Sequence, residues 1–131
     1  MKIGYQQLLA EAEKEIETWS AAQARERAAS GEVQFVDLRD IRELQREGKI
    51  PGAFHAPRGM LEFWVDPESP YYKDIFGTDK TFVFYCQSGW RSALATQTVQ
   101  RMGMTRVCHI GGGFTAWKEG GGPVEEVPRK V

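Results

Sequence analysis

Apolar residues recur at spacings of three and four near the start of the chain, and this pattern predicts an amphipathic helix. The apolar face consists of Tyr5, Leu8, Leu9, Ala12, Ile16 and Trp19. Ser20 and, three residues later, Gln23 form a candidate capping box for a second helix, which ends at Ser30 and Gly31. We predict a helical extension over residues 1–32 that serves in packing, with docking to a partner as the alternative.

From residue 33 onward, short apolar runs alternate with helical patterns, which is typical of an α/β fold. The runs cover residues 33–38, 81–85 and 106–110, and a further short strand is expected near Phe54. Helices are expected after Asp40, which forms a capping box with Glu43, after the turn at Cys86, and after the glycines at 111–113. The pattern predicts a largely parallel central sheet flanked by helices over residues 33–122, followed by a C-terminal tail over 123–131.

The composition fits one globular domain with an ordinary charge balance. Of the 131 residues, 41% are hydrophobic and 27% are charged, and the net charge is −1. This balance argues against a nucleic-acid surface or a polybasic membrane anchor, and no apolar run reaches transmembrane length. The N-terminus lacks the apolar core of a secretory signal and only two cysteines occur, so we expect a reducing, cytoplasmic location.

Cys86 lies where a predicted strand ends and a predicted helix begins. Backbone N–H groups in such a turn and the positive end of the helix dipole stabilise an anion, and both favour the thiolate, the nucleophilic form of cysteine. Gly89 permits a positive φ angle in the turn, and Arg91 adds a fixed positive charge. The sequence therefore predicts a reactive cysteine at the floor of an anion pocket, with a small buried hydrophobe as the alternative.

Further candidates follow the other predicted strands. Asp37 and Arg39 follow the first strand, and the glycines at 111–113 follow the last. Because sites in open parallel sheets gather beyond the carboxyl ends of the strands, both segments are expected near Cys86. We interpret Asp37 and Arg39 as an ion pair that holds loops, with substrate binding as the alternative, since buried charges are normally paired. Close backbone packing explains the glycines as well as phosphate binding does.

The second thiol and the two imidazoles are weaker candidates. Cys108 lies in the middle of a predicted strand, which favours a packed, inert thiol over a resolving partner for Cys86. His109 lies in the same strand and is expected to be structural, whereas His55, near a strand end, is the better histidine candidate. The sequence pairs neither histidine with Cys86, so a Cys–His protease arrangement is unsupported. No cysteine and histidine cluster has the spacing of metal ligands.

The segment between residues 57 and 80 is irregular and rich in aromatic residues, with a short helix predicted over 58–64. Its aromatic residues are Phe63, Trp64, Tyr71, Tyr72 and Phe76. Core packing is the usual role of such residues. The alternative is that a partly exposed subset forms the rim of a substrate pocket beside Trp90, with Arg58 adding positive charge.

Four segments of the chain have an order and spacing that point to one known family. They are residues 36–39, 48–53, 85–92 and 111–117. In these segments the chain resembles a single-domain rhodanese, a member of the thiosulfate sulfurtransferase family. The resemblance covers about residues 33–121 and implies a rhodanese-like fold. Lys49 stands where the family often has histidine, in a turn to which the resemblance assigns a structural role.

The resemblance implies sulfur transfer through Cys86. Its thiolate attacks the outer sulfur of thiosulfate or a related donor, a persulfide forms, and a thiol or cyanide acceptor removes the sulfur. A protein that accepts sulfur is a further candidate partner, and no metal or organic cofactor is required. Ser88 is expected to add a side-chain hydrogen bond, and Arg91 to attract the donor or brace the loop. The residues expected to bind substrate, mainly through main-chain N–H groups, are Gln87, Ser88, Gly89, Trp90, Arg91 and Ser92, with Asp37, Arg39 and Arg58 in support.

Loop length separates the main alternatives. Four residues lie between Cys86 and Arg91, whereas cysteine phosphatases that resemble this fold have five. The shorter loop forms a smaller cradle that suits a sulfur atom better than a tetrahedral phosphate or arsenate, so a cysteine phosphatase or arsenate reductase ranks lower. The other alternative is an interaction module that carries or senses persulfide, docks through its N-terminal helices and turns over small donors slowly.

Overall fold

Five parallel strands form the central sheet of the computed structural model, which describes residues 1–129. They are β1 (Glu17–Trp19), β2 (Val33–Asp37), β3 (Phe54–His55), β4 (Thr81–Tyr85) and β5 (Val107–Ile110), in the spatial order β1-β5-β4-β2-β3. The helices of these residues are α1 (Tyr5–Glu15), α2 (Ala21–Ala28), α3 (Ile41–Glu47), α4 (Leu61–Val65), α5 (Trp90–Met102) and α6 (Gly113–Glu119). The predicted α/β fold is confirmed, and because the paired strands are parallel, their carboxyl ends meet at one edge of the sheet.

The starts of α2 and α3 lie where the capping residues predict them. The Ser20 hydroxyl accepts a hydrogen bond from the Gln23 backbone N–H at 3.1 Å, and the Gln23 side chain accepts one from the Ser20 N–H at 2.9 Å. Asp40 and Glu43 form the same reciprocal box at the start of α3. This helix ends at Gly48, whose φ of 82° lies in the region that favours glycine. Local side-chain chemistry therefore sets these boundaries.

The N-terminal segment differs from its prediction at one end. The predicted helix stops at Glu15, and residues 17–19 form β1, which pairs with β5 at the edge of the sheet. Ile16 has extended backbone angles, and Thr18 and Trp19 belong to residue types that prefer strands. The apolar spacing fits a helix as well, but pairing with β5 satisfies the backbone of this segment. The predicted helical extension over residues 1–32 thus contributes a strand to the sheet, and the domain division at residue 33 stays a prediction.

The core lies on both faces of the sheet. Along β4, Phe82 and Phe84 pack on the side covered by α4 and α5, whereas Val83 and Tyr85 pack on the side covered by α2 and α6. Such two-sided burial is typical of parallel strands. Cys108 lies in the cluster with Val83 and is fully buried, which confirms the predicted packed thiol. Burial raises the pKa of Cys108 to about 12.

The aromatic segment contributes mainly to the core, as predicted. Trp64 and Phe76 both pack edge-on against Phe54 of β3. Phe63 and Tyr71, by contrast, are exposed. The predicted short helix is a 3₁₀ turn over Arg58–Met60 followed directly by α4. This segment therefore covers the end of the sheet next to β3.

The C-terminal tail returns to the turn that follows α3. Glu125 forms an antiparallel bridge with Lys49, and the Trp117 indole N–H donates to the Pro123 carbonyl at 2.8 Å. Residues 130 and 131 of the predicted tail lie outside the described residues. Over residues 1–129, none of the helices combines the length and apolar character that crossing a bilayer requires.

Candidate active site

Cys86 directly follows β4 at the carboxyl edge of the sheet. Its sulfur accepts hydrogen bonds from the backbone N–H groups of Gly89 at 3.2 Å and Ser92 at 3.4 Å. The Ser92 hydroxyl oxygen lies 3.6 Å from the same sulfur. Cys86 is only 1% exposed, so these groups replace most of the water that would otherwise solvate a charged sulfur. The arrangement stabilises negative charge on the sulfur, which the N-terminus of α5 also favours.

The turn between Cys86 and α5 depends on a glycine. Gly89 has a φ of 105°, which side chains other than hydrogen rarely permit. A β-carbon at this position would also lie 3.3 Å from the backbone nitrogen of Gly112. Gly89 thus adopts the positive φ angle that the sequence permits, and this angle brings the Gly89 N–H onto the sulfur.

The start of α6 supports the Cys86 turn. The backbone N–H of Phe114 donates to the Cys86 carbonyl at 2.8 Å, and that of Thr115 donates to the Gln87 carbonyl at 3.1 Å. A β-carbon on Gly113 would lie 2.5 Å from the Cys86 carbonyl oxygen. The glycines at 111–113 therefore permit close backbone packing, one of the two roles considered from the sequence.

Asp37 and Arg39 form a buried ion pair next to the turn. Arg39 Nη2 lies 2.7 Å from Asp37 Oδ2 and donates to the Gly48 carbonyl at 2.7 Å, while Nη1 donates to Gln87 Oε1 at 3.0 Å. Burial lowers the pKa of Arg39, but the hydrogen bonds and charge of Asp37 outweigh burial and raise it. Both side chains are fully buried, so the geometry matches a clamp that holds two loops, the preferred interpretation of this pair.

The side chain of Gln87 belongs to this clamp as well. Besides accepting from Arg39, it donates to Thr115 Oγ1 at 3.0 Å and to Glu47 Oε1 at 3.4 Å. These three bonds tie α3, α6 and the segment that follows β2 to the first residue after Cys86. The Gln87 side chain therefore braces the turn, and substrate binding through its main chain stays a prediction.

Ser88 and Trp90 are the exposed residues of the loop. The Trp90 ring packs against Tyr5 of α1 in a tilted arrangement, with ring centroids 5.0 Å apart, and both side chains remain more than half exposed. Among the described residues, the aromatic partner of Trp90 thus comes from the N-terminal extension and not from the 57–80 segment. Arg58 bonds Glu62 at 2.7 Å, and no hydrogen bond or ion pair within residues 1–129 joins it to the Cys86 loop.

Arg91 is held by a carboxylate that the sequence analysis did not place in the site. Its two terminal nitrogens donate to Glu43 Oε2 at 2.9 Å and Oε1 at 3.0 Å. The same Glu43 accepts from the Asp40 N–H in the capping box of α3. The hydrogen bonds from Arg91 are the main cause that lowers the pKa of Glu43 from 4.5 to about 2. Bracing of the loop is therefore the role of Arg91 that this geometry favours.

Replacing Glu43 with glutamine is expected to remove a pH-dependent part of the stability. Because the pKa of Glu43 is depressed in the folded protein, its charged form stabilises the fold above about pH 4.5, and this contribution is lost as the pH falls through about 2. Glutamine can still complete the capping box, so the change isolates the charge. Thermal unfolding midpoints of both proteins across this range should converge at low pH. Parallel curves would contradict the coupling of Glu43 to Arg91.

The structure reverses the expected order of the two histidines, because His109 and not His55 lies next to the Cys86 site. His55 Nε2 lies 2.6 Å from the Arg39 carbonyl oxygen, so this imidazole fixes the backbone that follows β2. His109, expected to be structural, lies with Nδ1 2.9 Å from Ser92 Oγ and is therefore one side chain away from the Cys86 sulfur. In the sequence, the one signal for this placement of His109 was a polar residue near the carboxyl end of a buried strand.

Known proteins resemble this chain in sequence. The family described as "Rhodanese-like domain" matches residues 20–120. Human thiosulfate:glutathione sulfurtransferase is 32% identical over an alignment of 108 residues, and the alignment covers 78% of this chain and 93% of the human protein. Most of both chains is therefore included in the similarity.

Solved structures resemble the chain in fold. One from Rhodopseudomonas palustris, described as a protein of unknown function and possible tyrosine phosphatase, is 53% identical with a TM-score of 0.91, covering 95% of this chain and 96% of that one. The human single-domain sulfurtransferase is 30% identical with a TM-score of 0.66, covering 78% of this chain and 95% of that one. The likeness thus extends over most of this chain in both cases.

Proposed function

The chain belongs to the rhodanese-like domain family, and we propose that it transfers a sulfane sulfur from thiosulfate or a related donor to a thiophilic acceptor through a persulfide on Cys86. The observation that carries this proposal is the convergence of the Gly89 and Ser92 N–H groups on a buried sulfur. These donors suit a negatively charged sulfur, and the proposed reaction begins and ends with that charge on the Cys86 sulfur, passing it to the outer sulfur in the persulfide.

In the first step, the Cys86 thiolate attacks the outer sulfur of thiosulfate. A sulfur–sulfur bond forms to Cys86 while the sulfur–sulfur bond of thiosulfate breaks, and sulfite leaves with the bonding electron pair. In the second step, an acceptor thiolate or cyanide attacks the outer sulfur of the persulfide, and the Cys86 thiolate leaves. The Gly89 and Ser92 N–H groups remain in place throughout, so little reorganisation is needed.

The braces around the loop suit this chemistry because they keep its donors fixed. Gln87 is tied to the Arg39 clamp, the carbonyls of Cys86 and Gln87 are held by α6, and Arg91 is held by Glu43. A donor or acceptor reaches the sulfur past the exposed residues Ser88 and Trp90. Partners in this proposal are a small sulfur donor and a thiol or cyanide acceptor, with a protein acceptor as a further candidate. The proposed location is cytoplasmic.

An interaction module that carries persulfide is the second candidate function. The observation that favours it is the packing of Tyr5 against Trp90, which places exposed aromatic surface of α1 directly beside the sulfur-bearing loop. A protein acceptor that docks on this surface would reach Cys86 without any need for fast turnover of small donors.

A cysteine phosphatase ranks lower, although the relative from Rhodopseudomonas palustris is described as a possible tyrosine phosphatase. The loop has four residues between Cys86 and Arg91, which is one fewer than in the phosphatases that resemble this fold. Arg91 also directs both terminal nitrogens at Glu43, so its guanidinium is already occupied by a carboxylate.

Steady-state kinetics with thiosulfate as donor and glutathione or cyanide as acceptor test the proposal. We expect saturable turnover with release of sulfite. Sulfur uptake without sustained turnover would contradict the enzyme and support the second candidate function, the module that carries persulfide. Hydrolysis of an aryl phosphate by a chain that takes up no sulfur would overturn the proposal and restore the phosphatase.

A further inference from the structure

A chain of hydrogen-bonded side chains links the Cys86 sulfur to the edge of the sheet. Ser92 Oγ lies 3.6 Å from the sulfur and 2.9 Å from His109 Nδ1, and His109 Nε2 lies 3.1 Å from Thr18 Oγ1. Ser92 and His109 are 0% and 2% exposed, so water does not compete for the contact between them. Thr18 is exposed on β1. The reaction steps described above give His109 no role.

We propose that His109 is a positioning residue, which fixes the Ser92 hydroxyl as a hydrogen-bond donor to the Cys86 sulfur. The imidazole does not touch the sulfur and acts through Ser92. The inference rests on the proposed function in one respect, because it takes the Cys86 sulfur as the group that becomes anionic.

The direction of the Ser92 hydroxyl depends on how protons are shared among Thr18, His109 and Ser92. A neutral imidazole has one N–H donor and one bare nitrogen. With the proton on Nδ1, His109 donates to Ser92 and accepts from the Thr18 hydroxyl, and the Ser92 proton is free to point at Cys86. With the proton on Nε2, the bare Nδ1 takes the Ser92 proton, and the sulfur loses this donor. The Gly89 carbonyl oxygen, 3.4 Å from Ser92 Oγ, is the other acceptor within reach, so the tautomer of His109 decides whether the Ser92 proton is available to the sulfur at all.

The surroundings favour the tautomer with the proton on Nδ1. The N–H groups of Gly89 and Ser92 already converge on the sulfur, and a hydroxyl completes a set of three donors for an anion. Hydrogen bonds to a charged acceptor are about twice as strong as neutral ones, so an anionic sulfur competes well for the Ser92 proton. Burial lowers the pKa of His109 to about 4, which keeps the imidazole neutral near pH 7 and leaves Nε2 able to accept from Thr18.

Nitrogen-15 NMR of histidine-labelled protein reads this tautomer, because protonated and bare ring nitrogens differ strongly in chemical shift. The chain has two histidines, and a His55→Gln variant assigns their signals. His55 serves as an internal contrast, since its Nε2 faces a carbonyl oxygen and must carry a proton. For His109 at pH 7 we expect a protonated Nδ1 and a bare Nε2. A proton on Nε2 would overturn the proposal.

Variants test the effect on Cys86 with a readout that does not require sulfur transfer. Ser92→Ala and His109→Leu each remove the directed donor, and each is expected to slow alkylation of Cys86 by iodoacetamide at pH 7 roughly tenfold, the scale of one hydrogen bond to a charged group. The double variant should be no slower than either single variant, because both changes remove the same bond. His109→Asn can still offer an N–H toward Ser92 and should restore much of the rate. The mass of the Cys86 peptide follows alkylation without interference from Cys108.

A merely structural role for His109 gives a different pattern. Leucine and asparagine would then slow alkylation equally, and the losses of Ser92→Ala and His109→Leu would add. Circular dichroism checks that each variant folds. If His109→Leu does not fold, the tautomer read by NMR and the alkylation rate of the variant that combines Ser92→Ala with His109→Asn still decide between the two roles. A chain that meets these expectations but takes up no sulfur would refute the proposed function alone. Sulfur uptake with a proton on His109 Nε2 would refute this inference alone.

Discussion

Replacing Cys86 with serine is expected to abolish sulfur transfer from thiosulfate, because a hydroxyl is a far weaker nucleophile than a thiolate and cannot carry a persulfide. Cys108→Ser is expected to keep most of the activity per folded molecule. Cys108 is packed in the core, and burial raises its pKa to about 12, so it is not a competing nucleophile near pH 7. Steady-state release of sulfite from the two variants measures the contrast.

Stability must be controlled in this comparison. A buried serine hydroxyl at position 108 costs about 1–3 kcal/mol when it lacks a partner, so the assays belong well below the unfolding midpoint. Cys108→Ala provides a second variant without a buried hydroxyl. Comparable losses in Cys86→Ser and Cys108→Ser would contradict a single working thiol and favour a mechanism that uses both.

Gly113→Ala is expected to disrupt the Cys86 turn by changing its contact with the start of α6. Its β-carbon would lie 2.5 Å from the Cys86 carbonyl oxygen and 2.6 Å from that of Gln87, so the turn must move. The left-handed backbone costs an alanine about 1–2 kcal/mol, and displaced neighbours add about 1–3 kcal/mol. Because one misplaced donor is worth roughly a hundredfold in rate, we expect sulfur transfer to fall by at least that factor.

Gly31→Ala is the matched control for this change. Gly31 has a φ of 76° against 59° for Gly113, but no atom lies within 4 Å of a β-carbon built there. Both variants therefore share the backbone strain, and only Gly113→Ala has the collision. Chemical denaturation and thiosulfate kinetics on both should show a modest stability loss with normal activity for Gly31→Ala. Equal activities would show that α6 does not set the geometry of the Cys86 turn.

Elements defined by neighbouring residues could be predicted from the sequence, whereas β1 could not. The capping boxes at Ser20 and Asp40 involve side chains only three residues apart, so their pattern is visible in the chain itself. In β1, by contrast, Thr18 pairs with His109, 91 residues later. The apolar spacing of residues 16–19 suits a helix as well as a strand, and the unpaired edge of β5 decides between them.

The same distinction applies to the site. The turn at Cys86 and the Asp37–Arg39 clamp follow from local sequence and from the convergence of parallel strands. The sequence did not indicate Glu43 as a site residue, because its capping role already explained a glutamate at this position. The same carboxylate also holds Arg91. His109 reaches Ser92 because the register of β5 against β4 turns it toward α5, and register is a property of the assembled sheet.

The mass of the intact chain after incubation with thiosulfate tests the persulfide on Cys86 most directly. We expect the chain to gain one sulfur atom, located on the peptide that contains Cys86, removed by cyanide and absent from Cys86→Ser. An unchanged mass, or a sulfur found on Cys108, would contradict Cys86 as the residue that carries the transferred sulfur.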